Sequence, residues 1–176
     1  MPMPRNDPRD VSWTTWATAW GHMGAVLGDA GLRRVVLPHY APDDLKALLG
    51  WEHPGAVFDQ SPFEKFIELT RRYFNARPTD FGEVACDLPS PGTFTGMVLR
   101  ACRGIPYGQT RSYLQVAMMI DRPESARAVA TAMSRNPVPL VIPCHRVVYA
   151  DGRPGGFSAA GGPELKERML RLEAGA

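Results

Sequence analysis

Cysteine is scarce in this sequence, and the cysteines that occur are far apart. Cys86, Cys102 and Cys144 are odd in number and form no C-x-x-C pair. Disulfide frameworks need paired cysteines and structural zinc sites usually need closely spaced ones, so neither is indicated. The histidines of the N-terminal half, His22, His39 and His53, are also scattered. We therefore expect no metal site.

Long apolar runs are missing as well. No stretch of roughly eighteen apolar residues occurs, and residues 1–12 are rich in Pro, Asp and Arg without an apolar signal-peptide core. With 44% hydrophobic residues among 176, the chain can still bury a substantial core. We expect a soluble, cytoplasmic globular protein with a loose terminus over residues 1–12 and no membrane segment.

Lysine is absent from the segment 100–153, although this segment is basic. It holds eight arginines and three acidic residues, a net charge of +5, which leaves −3 for the rest of the chain. Guanidinium groups favour bidentate phosphate contacts and stacking on bases. An ordinary solvent-exposed basic surface has the same composition. Charge alone therefore does not distinguish a nucleic-acid-binding surface from one that only contacts water.

The N-terminal part of the chain predicts a small domain of strands and helices. Two β-like runs within 13–37 flank the turn signal Gly28-Asp29-Ala30-Gly31, which is typical of a hairpin. Ser61-Pro62-Phe63-Glu64 has the pattern of a capping box that opens a helix ending near Asn75. The apolar stripe of that helix should lie in the core: Phe63, Phe66, Ile67 and Phe74.

A breaker-rich stretch, 87–92, predicts a boundary between two domains, 1–88 and 89–176. The second domain should open with a helix over 93–103 that is capped by Gly104 and buries Cys102.

Two further helical patterns, 112–120 and 124–135, are separated only by Asp121-Arg122-Pro123, as in a helix-turn-helix. The second pattern carries Arg127 and Arg135. Its other face holds small or apolar residues: Ala126, Val129, Ala130 and Met133. Such a face can approach a nucleic-acid groove, although many helical cores contain similar pairs.

Cys144 follows an apolar run, and Pro137 and Pro139 separate this run from the preceding helix. Taken alone, a single cysteine is more often a small buried hydrophobe than a nucleophile. Its neighbours favour a nucleophile, because His145 can act as a base and Arg146 can stabilise a thiolate. Adjacent side chains on a strand point to opposite faces, so we expect His145 to reach Cys144 through a bridging water.

The run Pro143-Cys144-His145-Arg146-Val147, preceded by Asn136-Pro137-x-Pro139, resembles the active-site signature of the O6-alkylguanine-DNA alkyltransferases. The similarity extends over roughly residues 90–175 and includes Leu172-Glu173 near the C-terminus. It implies an α+β protein: a small ribonuclease H-like α/β domain of structural role, then a mainly helical, winged-helix-like domain with a helix-turn-helix.

The resemblance implies a chemical role for five residues. Cys144 would accept the alkyl group, His145 would be the water-linked base, and Glu173 would orient His145. Asn136 would join the two halves of the site. Tyr113 would donate its hydroxyl proton to N3 of guanine as the alkyl group leaves. Each partner also has a structural explanation: Tyr113 as an amphipathic helix residue, Glu173 as a solvated helix end and Asn136 as a helix cap.

The resemblance also implies contacts with DNA. The family binds the minor groove and flips the damaged base, so that Arg127 would fill the gap left in the duplex. The implied DNA contacts are Arg127, Ala126, Ala130, Tyr113, Ser112 and Arg135. The implied base pocket is Met133, Val147, Phe157 and Ser158, in which the carbonyl of Val147 and the segment of Ser158 read the edge of the base.

The implied function is DNA repair by direct reversal. A monomer without a cofactor would flip O6-alkylguanine out of double-stranded DNA and transfer its alkyl group irreversibly to Cys144, once per chain. An alkyltransferase-like protein that binds damage without transfer is the alternative, but that class replaces the nucleophilic cysteine. A Cys-His hydrolase would need an oxyanion hole and direct contact between Cys and His, and neither is indicated.

The sequence departs from the family pattern at three places. Leu99 stands where a Trp is often found, and Met118-Met119-Ile120 is bulkier than usual. We expect both changes to be absorbed by repacking in the core. Ala159-Ala160 follows the pocket segment and leaves the accepted size of alkyl group open.

Overall fold

The computed structural model describes residues 10–175, without the side chain of Asp10, as two compact units. The N-terminal unit runs to Thr79 and includes Glu83–Asp87, and the C-terminal unit consists of Asp80–Gly82 and the residues from Leu88 onward. The protein is α+β, with a small sheet and several helices.

A four-stranded sheet organises the N-terminal unit. Strands β1 (Asp10–Thr18), β2 (Gly21–Gly28) and β3 (Gly31–Val36) form an antiparallel meander. Strand β4 (Val57–Phe58) pairs in parallel with β1, so that the strand order is β3-β2-β1-β4. The hairpin predicted at residues 28–31 is confirmed.

The turn of this hairpin depends on Gly31. Its φ is +122°, and a Cβ there would lie 2.4 Å from the backbone of Ala85. Only glycine therefore fits. The expected loose terminus is wrong for residues 10–12, because Asp10 and Ser12 pair with β2 at the start of β1. Residues 1–9 lie outside the described part of the chain.

Two helices complete the N-terminal unit, α1 (Pro42–Glu52) and α2 (Glu64–Phe74). Leu45 and Leu49 of α1 are fully buried and cluster with Val26 and Val36 of the sheet. The stripe predicted for the second helix is confirmed, since all its members are buried: Phe63, Phe66, Ile67 and Phe74.

The capping box expected at Ser61 is wrong. A 3₁₀ turn spans Ser61–Phe63, and α2 begins at Glu64 without a side-chain cap. Asp59 explains the difference, because its Oδ1 accepts hydrogen bonds from both the N–H and the hydroxyl of Ser61 at 2.9 Å. The serine is thus held by a local turn that precedes the helix.

The C-terminal unit contains four helices and two short strands. The helices are α3 (Phe94–Arg103), α4 (Tyr113–Met119), α5 (Ala126–Met133) and α6 (Gly162–Ala174). Strands β5 (Arg111–Ser112) and β6 (Val147–Val148) pair in parallel.

The predicted helix over 93–103 is confirmed. The hydroxyl of Thr93 accepts a hydrogen bond from the N–H of Gly96, Gly104 forms the C-cap, and Cys102 is fully buried. Gly96 is needed for close packing, since a Cβ there would lie 2.0 Å from the carbonyl oxygen of Ser90.

The helix pair predicted over 112–120 and 124–135 is also present. Ser112 and Gln115 cap α4 reciprocally, with bonds of 2.7 and 3.1 Å, and a 3₁₀ turn at Pro123–Ser125 leads into α5. The expectation that Met118 and Met119 pack in the core is wrong. They are 58% and 50% exposed, because the buried face of α4 is formed by Val116 and Ala117.

Leu99, in contrast, is fully buried, as expected. Among the residues described, no helix combines the length and the hydropathy that a membrane crossing requires.

Candidate active site

Cys144 lies in a tight turn and not on a strand. Cys144–Arg146 form a single 3₁₀ turn, in which the N–H of Arg146 donates to the carbonyl of Pro143 at 2.8 Å. The chain reaches this turn through Leu140, which is buried with φ of +77°. The strand geometry expected for Cys144 and His145 is therefore wrong. The prolines of the segment 137–143 and the positive φ of Leu140 turn the chain, so that it does not form strand hydrogen bonds at Cys144.

Asn136 holds the thiol. Its Nδ2 donates to Sγ of Cys144 at 3.2 Å and to the carbonyl of Ile142 at 2.8 Å, while its Oδ1 accepts from the N–H of Val138. Burial raises the pKa of the Cys144 thiol, whereas the hydrogen bond from Asn136 and the nearby ammonium of Lys166 lower it. A donor aimed at sulfur stabilises the thiolate more than the thiol. The same amide links the segment that follows α5 to the segment that leads into the cysteine turn.

His145 belongs to a buried ionic network with Glu173 and Arg146. Its Nε2 is 2.7 Å from Oε1 of Glu173. Arg146 donates through Nε to Oε2 at 2.9 Å and through a terminal nitrogen to Oε1 at 3.0 Å. The N–H of Gly108 adds a bond to Oε2 at 3.0 Å. The carboxylate is thus bound on both oxygens, which fixes the orientation of the imidazole.

Arg146 does not stabilise the thiolate directly, which corrects the sequence expectation. Its guanidinium forks onto Glu173, and its remaining arm donates to the carbonyl of Ile105 at 2.6 Å. The planar fork of arginine suits a bidentate carboxylate, and the turn at 144–146 aims it at α6.

The charges of the network follow from its burial. Burial raises the pKa of Glu173, but the hydrogen bonds and charges of His145 and Arg146 outweigh this and lower it to about 2. Burial lowers the pKa of His145, against the opposing effect of Glu173. Glu173 is therefore ionised and His145 neutral at neutral pH, so the imidazole can accept a proton.

Lys166 is a residue of this site that the sequence reasoning missed. It is 1% exposed, and its Nζ donates to the carbonyl of Val147 at 2.6 Å and to that of Gly156 at 3.3 Å. Burial lowers its pKa to about 8. Its spacing of seven residues from Glu173 places both on one face of α6, together with the buried Met169, and this spacing is the signal that could have found it.

A cavity of about 360 Å³ opens at Cys144. It is lined by residues from α4, α5, the cysteine turn and the segment before α6: Tyr113, Ala130, Met133, Ser134, Cys144, Tyr149, Gly156, Phe157 and Ser158. A larger groove of about 580 Å³ lies along α2 in the N-terminal unit, but its lining from Gln60 to Arg77 contains neither cysteine nor histidine. The smaller cavity is thus the one that meets a nucleophile.

Tyr113 places its phenol in the wall of this cavity. Burial raises its pKa to about 12, with further increases from Tyr149 and Cys144. The hydroxyl is therefore protonated at neutral pH and has a proton to donate.

The remaining sequence-predicted residues fall into two groups. Ala130, Met133, Phe157 and Ser158 line the cavity. Val147 does not line it, and its carbonyl accepts the hydrogen bond from Lys166.

Outside the cavity, the exposed Arg127 is the second residue of α5, and the exposed Arg135 lies two residues beyond the end of this helix. Ser112 caps α4. In residues 10–175, no group of three or more His, Cys, Asp or Glu side chains is arranged to hold a metal ion.

Comparison with known proteins agrees with this geometry. Residues 93–175 match the family model of the 6-O-methylguanine DNA methyltransferase DNA-binding domain. The methylated-DNA–protein-cysteine methyltransferase of Mycolicibacterium paratuberculosis is 40% identical over 125 residues, which cover 70% of each chain. The same enzyme of Methanosarcina barkeri is 44% identical over 135 residues, 74% of this chain and 81% of the relative.

Solved structures extend the likeness to most of the chain. The O6-methylguanine methyltransferase of Mycobacterium tuberculosis superposes with a TM-score of 0.75 at 29% identity over 93% of both chains. The complex of Mycobacterium tuberculosis OGT with DNA gives a TM-score of 0.76 at 30% identity over 94% of both chains. This chain belongs to the methylated-DNA–protein-cysteine methyltransferase family.

Proposed function

We propose that this protein repairs DNA by direct reversal, taking the alkyl group of O6-alkylguanine onto Sγ of Cys144 once per chain. One observation carries the proposal: a thiol held by Asn136 at 3.2 Å opens into a cavity of about 360 Å³, beside a neutral, oriented histidine. That combination suits a nucleophile that needs a base but no cofactor.

The reaction begins with loss of the thiol proton. The proton passes through a bridging water to His145, whose ring is oriented by Glu173 from the Nε2 side. The positive charge that forms on the imidazole is balanced by the adjacent carboxylate. Lys166 and Asn136 stabilise the thiolate on the other side.

Alkyl transfer is then an SN2 displacement. Sγ forms a bond to the alkyl carbon as its bond to O6 breaks, and the electron pair of that bond leaves with guanine. Tyr113 donates its hydroxyl proton to N3 of the base, which makes guanine a better leaving group. The product is an S-alkylcysteine, and no step regenerates the thiol.

DNA binding is assigned to the helix pair. Arg127 is exposed at the start of α5 and would enter the stack to replace the flipped base, while Ala126 and Ala130 allow close approach to the minor groove. Ser112 and Arg135 would contact the backbone.

The base itself would lie in the cavity against Met133, Phe157 and Ser158. Val147 does not line the cavity, so its carbonyl, which accepts the hydrogen bond from Lys166, is not assigned a contact with the edge of the base.

The proposal also covers the fold types of the two domains, the oligomeric state and the cellular location. The meander with its helices is compatible with a ribonuclease H-like domain over 1–88, and the α4–α5 pair with short strands is compatible with a winged-helix-like domain over 89–176. We propose that the protein acts as a monomer, in the cytoplasm, on double-stranded DNA.

Incubation with duplex DNA that carries one labelled O6-methylguanine tests the proposal. We expect a gain of about 14 Da on the peptide that contains Cys144, with no label on the peptides of Cys86 and Cys102. Cys144→Ala should bind the same DNA and take no label. Binding of damaged DNA by the unsubstituted protein without any adduct would instead identify a damage-binding protein.

A further inference from the structure

Tyr149 is a large aromatic residue at the cavity that the proposed mechanism does not use. Its side chain is 49% exposed, and it lines the cavity together with Tyr113 and Cys144. Water around an exposed apolar ring is unfavourable roughly in proportion to the exposed area. A ring left open beside a reactive thiol is therefore a candidate contact surface for the molecule that enters the cavity.

The backbone around Tyr149 holds the ring in place. The N–H of Tyr149 donates to the carbonyl of Arg153, and the N–H of Gly152 donates to the carbonyl of Tyr149, both at 2.9 Å. Asp151 closes the turn by accepting hydrogen bonds from Arg153 at 2.7 and 3.1 Å. This reversal of the chain presents Tyr149 from a fixed position.

Two neighbouring groups support the ring itself. The guanidinium carbon of Arg153 lies 5.6 Å from its centre, a cation–π contact, and the ring of Tyr113 lies 5.6 Å away at an interplanar angle of 59°. The ring is thus backed by the cation and directed toward the phenol that the mechanism uses.

Gly155 keeps the pocket segment close to both tyrosines. Its φ is +73°, and a Cβ there would lie 2.9 Å from Oη of Tyr113 and 3.3 Å from Cε2 of Tyr149. A side chain at this position would push the rings apart. The two tyrosines and this glycine therefore form one packed rim.

We propose that Tyr149 is a substrate-binding residue whose ring forms the outer wall of the cavity and stacks on the face of the extruded alkylguanine. The inference rests on the proposed function. Every purine presents a π face, so stacking holds the base without reading its edges. It leaves edge contacts to Ser158 and keeps N3 of the base beside Tyr113.

Reactivity toward two alkylating probes tests this role. The free base O6-methylguanine carries the same SN2 carbon as the damaged DNA and needs the pocket, whereas iodoacetamide needs only the thiol. We expect Tyr149→Ala to lower the second-order rate constant for the free base about tenfold, and Tyr149→Phe to stay within about twofold of the unsubstituted protein. The rate of iodoacetamide with Cys144 should be unchanged in both variants.

A matched control is Phe58→Ala, which removes an aromatic side chain that is 54% exposed in the N-terminal unit. It should alter neither rate. If the unsubstituted protein takes no methyl group from either the free base or the labelled duplex, the proposed function fails. If it does, and Tyr149→Ala reacts with the free base as fast as the unsubstituted protein, the stacking role of Tyr149 is refuted while the proposed function stands. A parallel fall in the iodoacetamide rate, or an equal loss in Tyr149→Phe, would also overturn the stacking role.

Discussion

The two units differ in what they bury. The N-terminal unit buries mainly apolar and hydroxyl side chains, such as Thr14 and Thr70. Its buried Glu52 pairs with Arg34, which is 27% exposed, and the Nε2 of its buried His53 lies 3.8 Å from the Glu52 carboxylate. Besides two cysteines, the C-terminal unit buries four ionisable side chains: His145, Arg146, Lys166 and Glu173. All four are less than 9% exposed and stand within contact of the cysteine turn or its hydrogen-bond partners.

This difference separates a unit built for packing from one that also performs chemistry. Burial of charges costs free energy that apolar side chains of similar volume would not cost. In the C-terminal unit the buried charges orient an imidazole, and the ammonium of Lys166 opposes the rise that burial causes in the pKa of the Cys144 thiol. Removing one buried carboxylate from each unit and comparing the losses of stability tests this difference.

The largest effect is expected for Glu173→Gln, matched by Glu52→Gln. Loss of the Glu173 charge leaves the buried Arg146 uncompensated, at a cost of about 3–5 kcal/mol. Loss of the Glu52 charge costs about 1 kcal/mol, because Arg34 can turn to water.

The two units can be followed separately in urea. All four tryptophans, Trp13, Trp16, Trp20 and Trp51, lie in the N-terminal unit, so their fluorescence reports on it. Amide hydrogen exchange in α6 reports on the other unit. An equal loss in the free energy of unfolding for Glu173→Gln and Glu52→Gln would contradict the distinction between the units.

The second prediction is a loss of stability in acid in the C-terminal unit that depends on Glu173. The pKa of Glu173 is about 2 in the folded protein and 4.5 ordinarily, so the folded state binds fewer protons. Its stabilisation is complete above pH 4.5 and disappears as the pH falls toward 2, about 3 kcal/mol in all. Hydrogen exchange of α6 across this range measures it, and the same pH slope in Glu173→Gln would refute the assignment.

The smallest effect concerns the thiol. Lys166→Met removes an ammonium that lowers the pKa of Cys144. We expect that pKa to rise and the iodoacetamide rate at pH 7 to fall about tenfold, measured on the Cys144 peptide.

Lys65→Met is the control for this variant, since Lys65 is 76% exposed in a surface pair with Glu83. An unchanged rate in Lys166→Met would show that its ammonium acts only on the carbonyls of Val147 and Gly156.

Much of the site could be predicted from the sequence. The resemblance to the alkyltransferase family implies roles for Cys144, His145, Asn136 and Glu173, and hydrogen bonds join Asn136 to Cys144 and His145 to Glu173. The N-terminal hairpin and the buried stripe of α2 followed from turn chemistry and periodicity.

Lys166 and Tyr149 could not be found in the same way. Lysine on a helix usually faces water. The spacing from Glu173 places Lys166 on the buried face of α6, but the two carbonyls that its ammonium reaches, at 2.6 and 3.3 Å, lie in segments whose positions this spacing does not give. Ser61 misled the prediction because a competing acceptor, Asp59, lies two residues away. Hydrogen-bond partners of this kind depend on the path of the loops, which the periodicity of apolar residues does not specify.

The stoichiometry of methyl transfer tests the central claim most directly. With a several-fold excess of duplex that carries O6-methylguanine, transfer should stop at about one methyl group per chain, all of it on Cys144, and a second portion of DNA should remain unrepaired. Continued turnover, or methylation at Cys86 or Cys102, would contradict the assignment of Cys144 as an acceptor that is used once.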